Sequence, residues 1–141
     1  MGVPDGWFLL TDTGERLWRQ VNPSWVSNGR VTSQVFKPTP KDHGRLSLSR
    51  ASKVGARQSH ERHLARGLAS VGVLSVTVGQ AQDVKVTAWD DPVDEDIPED
   101  HAHLDCTGLS RREQKAVADV LIAHARDHGW DYRIPGAPAH P

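Results

Sequence analysis

The chain has 141 residues, 17 basic and 18 acidic, so its net charge at neutral pH is −1. That length suits one domain able to bury about two-thirds of the surface its unfolded form exposes. A mean hydropathy of −0.54 and the lack of any apolar run near the roughly 20 residues of a membrane span exclude a transmembrane helix, and the single cysteine, Cys106, excludes an internal disulfide and fits a reducing cytosol.

The opening residues, MGVPDGWFLLTDTGER, carry no cationic leader, so no secretory signal is expected. Their apolar run at residues 7–10, followed by Thr11-Asp12-Thr13-Gly14, reads as a short strand ending in a turn, with residues 17–21 returning as its hairpin partner. Residues 21–29 hold Pro23 early and Asn28-Gly29 late and read as a loop with one helical turn, where Trp18 and Trp25 anchor packing. Residues 30–36 and 45–49 alternate apolar with polar side chains, the period of half-buried strands. Between them lies KPTPKDHG, whose two prolines cannot donate to a ladder and whose Asp42-His43-Gly44 is turn chemistry. The expectation is a hairpin with a stiff, cationic loop.

Residues 51–66 are good helix formers that stop at Gly67, a short basic surface helix with His60 and His63 on one face. VGVLSVTV, residues 71–78, is the clearest strand signal; residues 79–83 turn it, and residues 84–89 alternate again near a sheet edge. The acidic, proline-interrupted residues 90–100 are expected to form a solvated loop. HAHLDC, residues 101–106, reads as a last strand with Ala102, Leu104 and Cys106 inward and His101, His103 and Asp105 on the other face. Ser110 and Glu113 have capping-box spacing and open a helix that ends at His128-Gly129. Its apolar stripe is Val117, Val120, Leu121 and His124, broadened by Ala116 and Ile122. Trp130 and Tyr132 then clamp the helix end, while residues 135–141 have little to hold them and are expected to fray. Together these elements make a single α+β domain over residues 1–134, a mainly antiparallel sheet of about five or six strands with two helices on one side.

Charge is sorted along the chain. Residues 41–66 carry seven lysines and arginines against Asp42 and Glu61, whereas residues 90–100 hold seven acids and no base. The two segments can neutralise each other, within the fold or between copies, which weighs against nucleic acid as a partner. Three constellations offer chemistry. Arg30, Lys37, Lys41 and Arg45, with the hydroxyls of Thr32, Ser33 and Thr39, would converge at the hairpin loop on a phosphate or carboxylate. Without a Gly-rich phosphate loop, such a site serves recognition rather than catalysis. His101, His103 and Asp105 share a strand face, a partial shell for zinc. Arg19, the Thr32-Ser33 pair and a later acid form the third.

Resemblances follow from these residues. HAHLDC is similar to the His-x-His-x-Asp-His signature of metallo-β-lactamase-type hydrolases at His101, His103 and Asp105, with Cys106 standing where that family has its last histidine. The layout of Arg19 and Thr32-Ser33 resembles the arginine and serine positions of ADP-ribosyltransferase-like folds, in which the arginine holds the phosphates of NAD and a glutamate orients the ribose. Glu61 and Glu113 fall on expected helices and do not fill that glutamate position. The wider run LWRQV-x-P and GRVTSQ-x-F-x-PTPKD-x-G-x-LS, with the later GV-x-x-VTVG and GLS, resembles a family of small uncharacterised bacterial proteins from residue 17 to residue 132, which implies a bacterial cytosol. The reading that results is a non-catalytic binding or accessory module, needing no cofactor, whose hairpin loop and basic helix engage an acidic protein partner or an anionic ligand. The alternatives are an NAD-using transferase, a metal-binding hydrolase at His101, His103 and Asp105, and a structural subunit in which the acidic loop of one copy meets the basic segment of its neighbour.

Overall fold

The computed structural model describes residues 6–92 and 99–141. The period-two segments become the middle of a seven-stranded antiparallel sheet. In chain order the strands are β1 (Phe8–Leu9), β2 (Arg16–Gln20), a separate hairpin of β3 (Val26–Ser27) and β4 (Arg30–Val31), then β5 (Arg45–Arg50), β6 (Gly72–Thr77), β7 (Thr87–Asp90), β8 (His101–Asp105) and β9 (Tyr132–Arg133). The sheet runs β1-β7-β8-β5-β2-β6-β9. The helices are α1 (Ala56–Ala65), α2 (Val78–Asp83) and α3 (Arg111–His128).

Cross-strand partners share a face. The pairs Leu17↔Val76, Leu46↔Leu104 and Leu48↔Ala102 therefore build one apolar face, on which α3 lays Val117, Ala118, Leu121, Ile122 and Ala125. The pairs Trp18↔Ser49, Ser47↔His103 and Ser49↔His101 put hydroxyls, imidazoles and an indole on the other face. Helix α1 crosses that face, tied down where Trp18 Nε1–H donates to the Val54 carbonyl at 2.7 Å and Gln20 Nε2–H to Ser59 Oγ at 3.2 Å. The α+β class is as expected, with seven strands and with helices on both faces because the α1 face carries polar groups that a polar helix can satisfy.

Several local expectations give way. Strand β1 pairs with β7, Phe8↔Asp90 and Leu9↔Trp89, while β2 lies between β5 and β6. The turn at residues 11–15 is taken up by α2 instead: the Gly79 amide donates to the Thr13 carbonyl and Val78 to Glu15. Residues 30–36 are not one strand. Asn28 and Gly29 both have positive φ, 52° and 74°, as a two-residue hairpin turn requires, so β4 folds back on β3 with Val31 opposite Val26. Ser33–Phe36 is a 3₁₀ turn that buries Val35 and Phe36. The cationic hairpin is therefore absent, and residues 37–44 simply connect that turn to β5. Residues 79–83 belong to a helix because Thr77 and Gln80 form a capping box. Strand β7 begins only after Lys85, whose φ is 60°. One strand follows HAHLDC, since β9 pairs with β6. On α3 the buried stripe is rotated from that expected: Val120 is 42% exposed, while Ala118 and Ala125 are buried. The tail is held, with Trp130 Nε1–H donating to the Pro138 carbonyl at 2.8 Å.

The acidic run departs furthest from a solvated loop. Residues 93–98 lie outside the described residues, but Asp90, Asp91 and Asp100 are buried. Arg50 makes two 2.9 Å bonds to Glu15 and lies 3.4 Å from Asp90, and Arg62 grips both oxygens of Asp100 at 2.8 and 2.7 Å. Among the described residues no helix is long and apolar enough to cross a membrane.

Gly72 stands where the sheet leaves no room for a side chain. A Cβ there would stand 2.5 Å from the Tyr132 carbonyl oxygen and 2.8 Å from the Trp130 ring. Gly72→Ala is expected to cost about 1–3 kcal/mol by overpacking, read as a lower urea midpoint at unchanged m.

Candidate functional site

Strands β2 and β5 stay in register for only two pairs, Leu17↔Arg50 and Trp18↔Ser49. Past them the Arg19 side chain occupies the gap. Its Nε–H donates to the Val35 carbonyl at 2.8 Å, its Nη1–H to the Ser47 carbonyl at 2.9 Å, and its guanidinium lies 5.0 Å from the centre of the Trp25 ring. Burial pulls this group down to about 10, with the charge of Asp42 opposing the shift, so it remains a cation at neutral pH. Asp42 itself is hydrogen-bonded by Thr39, and among the described residues no carboxylate forms an ion pair with Arg19.

The gap opens on the α1 side into a pocket of about 320 Å³. Strands β2, β5 and β8 supply Arg19, Ser47, Ser49 and His101, and α1 with its C-cap supplies Arg62, His63 and Arg66. Among the described residues, three arginines thus face a single carboxylate, Asp100, which Arg62 already holds. His63 feels the surplus. Burial pulls its pKa below 6.5, a hydrogen bond to the Ala69 backbone opposes, and the charges of Arg66, His60 and Arg19 lower it further.

At the β8 end of the pocket is a second arrangement. The Asp91 amide donates to the His101 carbonyl at 3.2 Å, which turns the carboxylate over the strand. One Asp91 oxygen accepts from His101 Nδ1–H and the other from His103 Nδ1–H, the latter at 2.6 Å. With both Nδ1 atoms donating, His101 Nε2 is left as an acceptor, and Ser47 Oγ lies 2.6 Å from it. His103 is 1% exposed, packs edge-on to Trp7 with ring centres 4.4 Å apart, and has no partner for Nε2 among the described residues. Burial pushes the Asp91 carboxyl up, but the hydrogen bonds and charge of the two imidazoles outweigh this and hold it below 3.8.

The residues singled out from the sequence are scattered by comparison. Lys37 and Thr39 share a shallow groove with Arg111 and Gln114 on the α3 side. Arg30 and Lys41 are exposed elsewhere. Thr32 Oγ1–H donates to the Trp25 carbonyl, Ser33 opens the 3₁₀ turn, and Thr39 caps the next one. Arg45 lies on the opposite sheet face, its guanidinium 4.7 Å from the Trp7 ring centre. They do not converge because the hairpin meant to gather them does not form.

His101 and His103 do share a face, but Asp105 accepts from the Thr107 amide and hydroxyl at 3.0 and 2.5 Å. Among the described residues no group of three or more His, Cys, Asp or Glu is placed to hold a metal ion. Glu61 pairs with Arg57 and Glu113 caps α3, so neither lines the pocket with Arg19. Cys106 is a buried thiol that burial, then the charge of Asp105, raise to about 11. Sequence reasoning missed Ser47 and Asp91, whose roles depend on β5 and β7 flanking β8. No family model matches the chain, and no curated protein or solved structure matches it.

A carboxyl depressed by folding contributes stability above its ordinary pKa and loses it as pH falls through the folded value. Asp91→Asn retains one acceptor oxygen and forces the other imidazole to lose its partner. It is expected to cost about 2 kcal/mol at neutral pH. In urea denaturation, its deficit relative to the parent chain should narrow as pH falls from about 5 to about 3.

Proposed function

We propose that this protein is a binding module for a small anionic ligand, a carboxylate or phosphate compound held between α1 and the sheet. The observation that carries this reading is Arg19. It is a half-buried cation whose hydrogen bonds go to backbone carbonyls, and it opens on a pocket where, among the described residues, arginines outnumber carboxylates. A charge held partly out of water gains from a counter-charge, and an entering anion supplies it. Arg66 adds charge and His63 a ring donor, while Arg62 is held in place by Asp100. This keeps the basic helix of the sequence reading as a binding element and moves its partner from residues 37–44 to the sheet. A bacterial cytosol is the proposed setting, supported by the lone buried thiol.

Binding should appear as heat on titration with inorganic phosphate or citrate. It should also appear in the titration of His63, since an anion beside the ring favours the imidazolium and raises a pKa that the free protein holds below 6.5. Arg66→Ala is expected to weaken phosphate binding about tenfold, ~1.4 kcal/mol, at an unchanged thermal midpoint. The Lys37→Ala, Lys41→Ala double variant should leave binding as it was. A His63 titration curve indifferent to both anions, together with no binding heat, would sink the proposal.

A further inference from the structure

We infer that Ser47, His101 and Asp91 form a nucleophile, base and orienting-acid relay, and that the pocket hydrolyses esters whose acyl part carries an acid group. Only the choice of acid-bearing acyl group rests on the anion-binding reading.

Three observations carry the relay. The first is connectivity: Ser47 Oγ lies 2.6 Å from His101 Nε2, and His101 Nδ1–H donates to Asp91 Oδ1. That is the order in which a serine nucleophile, a general base and a buried carboxylate act, and such an arrangement is recognised by geometry rather than by sequence position. The second is the gradient of exposure. The Asp91 side chain is 8% exposed, that of His101 22%, and Ser47 is exposed, so the acid is sheltered while the hydroxyl meets solvent. The third is rigidity. Ser47 and His101 stand on adjacent paired strands, and Asp91 is fixed from behind by His103, itself packed under Trp7. A second imidazole on the same carboxylate leaves Asp91 little freedom, so His101 keeps the tautomer in which Nε2 accepts. Both Ser47 and His101 line the pocket.

In the first half-reaction the Ser47 Oγ–H proton passes to His101 Nε2 as Oγ bonds to the ester carbonyl carbon. The carbonyl π pair moves to oxygen. Arg19 Nη1 on Ser47's own carbonyl sets a guanidinium beside the residue where that negative charge develops. Collapse breaks the bond to the leaving alkoxide, which takes the proton from Nε2 and departs as the alcohol. Water then attacks the acyl-Ser47 carbon while Nε2 again receives a proton. The second collapse returns that proton to Oγ and releases the carboxylic acid. Asp91 remains ionised throughout and stabilises the imidazolium.

The test uses the full chain, a fluorophosphonate probe and two esters, p-nitrophenyl acetate and p-nitrophenyl hydrogen succinate. The expected result is one phosphonyl adduct per chain, mapped to Ser47. Nitrophenolate release should fall about a hundredfold or more in Ser47→Ala, with the thermal midpoint unchanged. The succinyl ester should be preferred about tenfold, a preference that disappears in Arg66→Ala. An adduct elsewhere or none, or equal ester turnover by Ser47→Ala and the parent chain, overturns the relay. Turnover that depends on Ser47 without preference for the succinyl ester overturns the acid-bearing substrate class and leaves the relay standing.

Discussion

A guanidinium in the place of strand pairing is the constraint on which the candidate site depends. Strands β2 and β5 part after two register pairs, and a gap in the middle of a sheet leaves buried carbonyls needing donors. Arg19 answers this from within the gap, bonding Val35 on the helix-covered face and Ser47 on the neighbouring strand. Its donors reach both sides, so the Val35 and Ser47 carbonyls have a partner where the strands part. The separation gives α1 a recess to roof and brings the Ser47 side chain to the recess wall. The cost is a cation held partly out of water, and that cation is the basis of the proposed anion site.

The remaining charge is arranged around this recess by ion pairs that the fold closes internally. Arg50 with Glu15 and Asp90, and Arg62 with Asp100, join the basic and acidic segments across the sheet. Buried pairs of this kind bring little net stability once desolvation is counted, yet removing one partner is costly. Their effect is on placement. Asp90 and Asp91 are held at the end of β7, Asp100 at the start of β8, and Arg62 on α1 is drawn down toward the sheet. The compensation anticipated from the charge pattern is met in part within one chain, at Arg50–Asp90 and Arg62–Asp100, while Arg19 and Arg66, which form no ion pair among the described residues, face the same pocket.

The polar face of the sheet carries two features side by side. Its cations attract negative charge, and its Ser47, His101 and Asp91 hold a proton path between an exposed hydroxyl and a buried carboxylate. The expected zinc shell had the right two imidazoles and the wrong carboxylate. Asp105 is occupied by Thr107, while Asp91, in sequence the second member of an acidic run, closes over the strand to take both Nδ1 protons. The same histidines that suggested a metal therefore serve an acid-base arrangement.

What could be read from the sequence alone were features set by neighbours in the chain: the strands around Leu17, Leu46 and Leu74, the capping box at Ser110 and Glu113, and the shared face of His101 and His103. Asn28-Gly29 was legible too, since a two-residue turn between Val26 and Val31 is a local hairpin signal, but the apolar alternation beyond it drew the strand too far. Only the tertiary structure decided the strand order and, with it, the site. Ser47 and His101 stand on different strands and Asp91 just past the end of a third, while Arg19 on a strand and Arg66 at the C-cap of a helix are separated by 47 positions. Periodicity states which way a side chain points relative to its own strand, but which strands become neighbours depends on burying apolar surface and pairing charges across the whole chain.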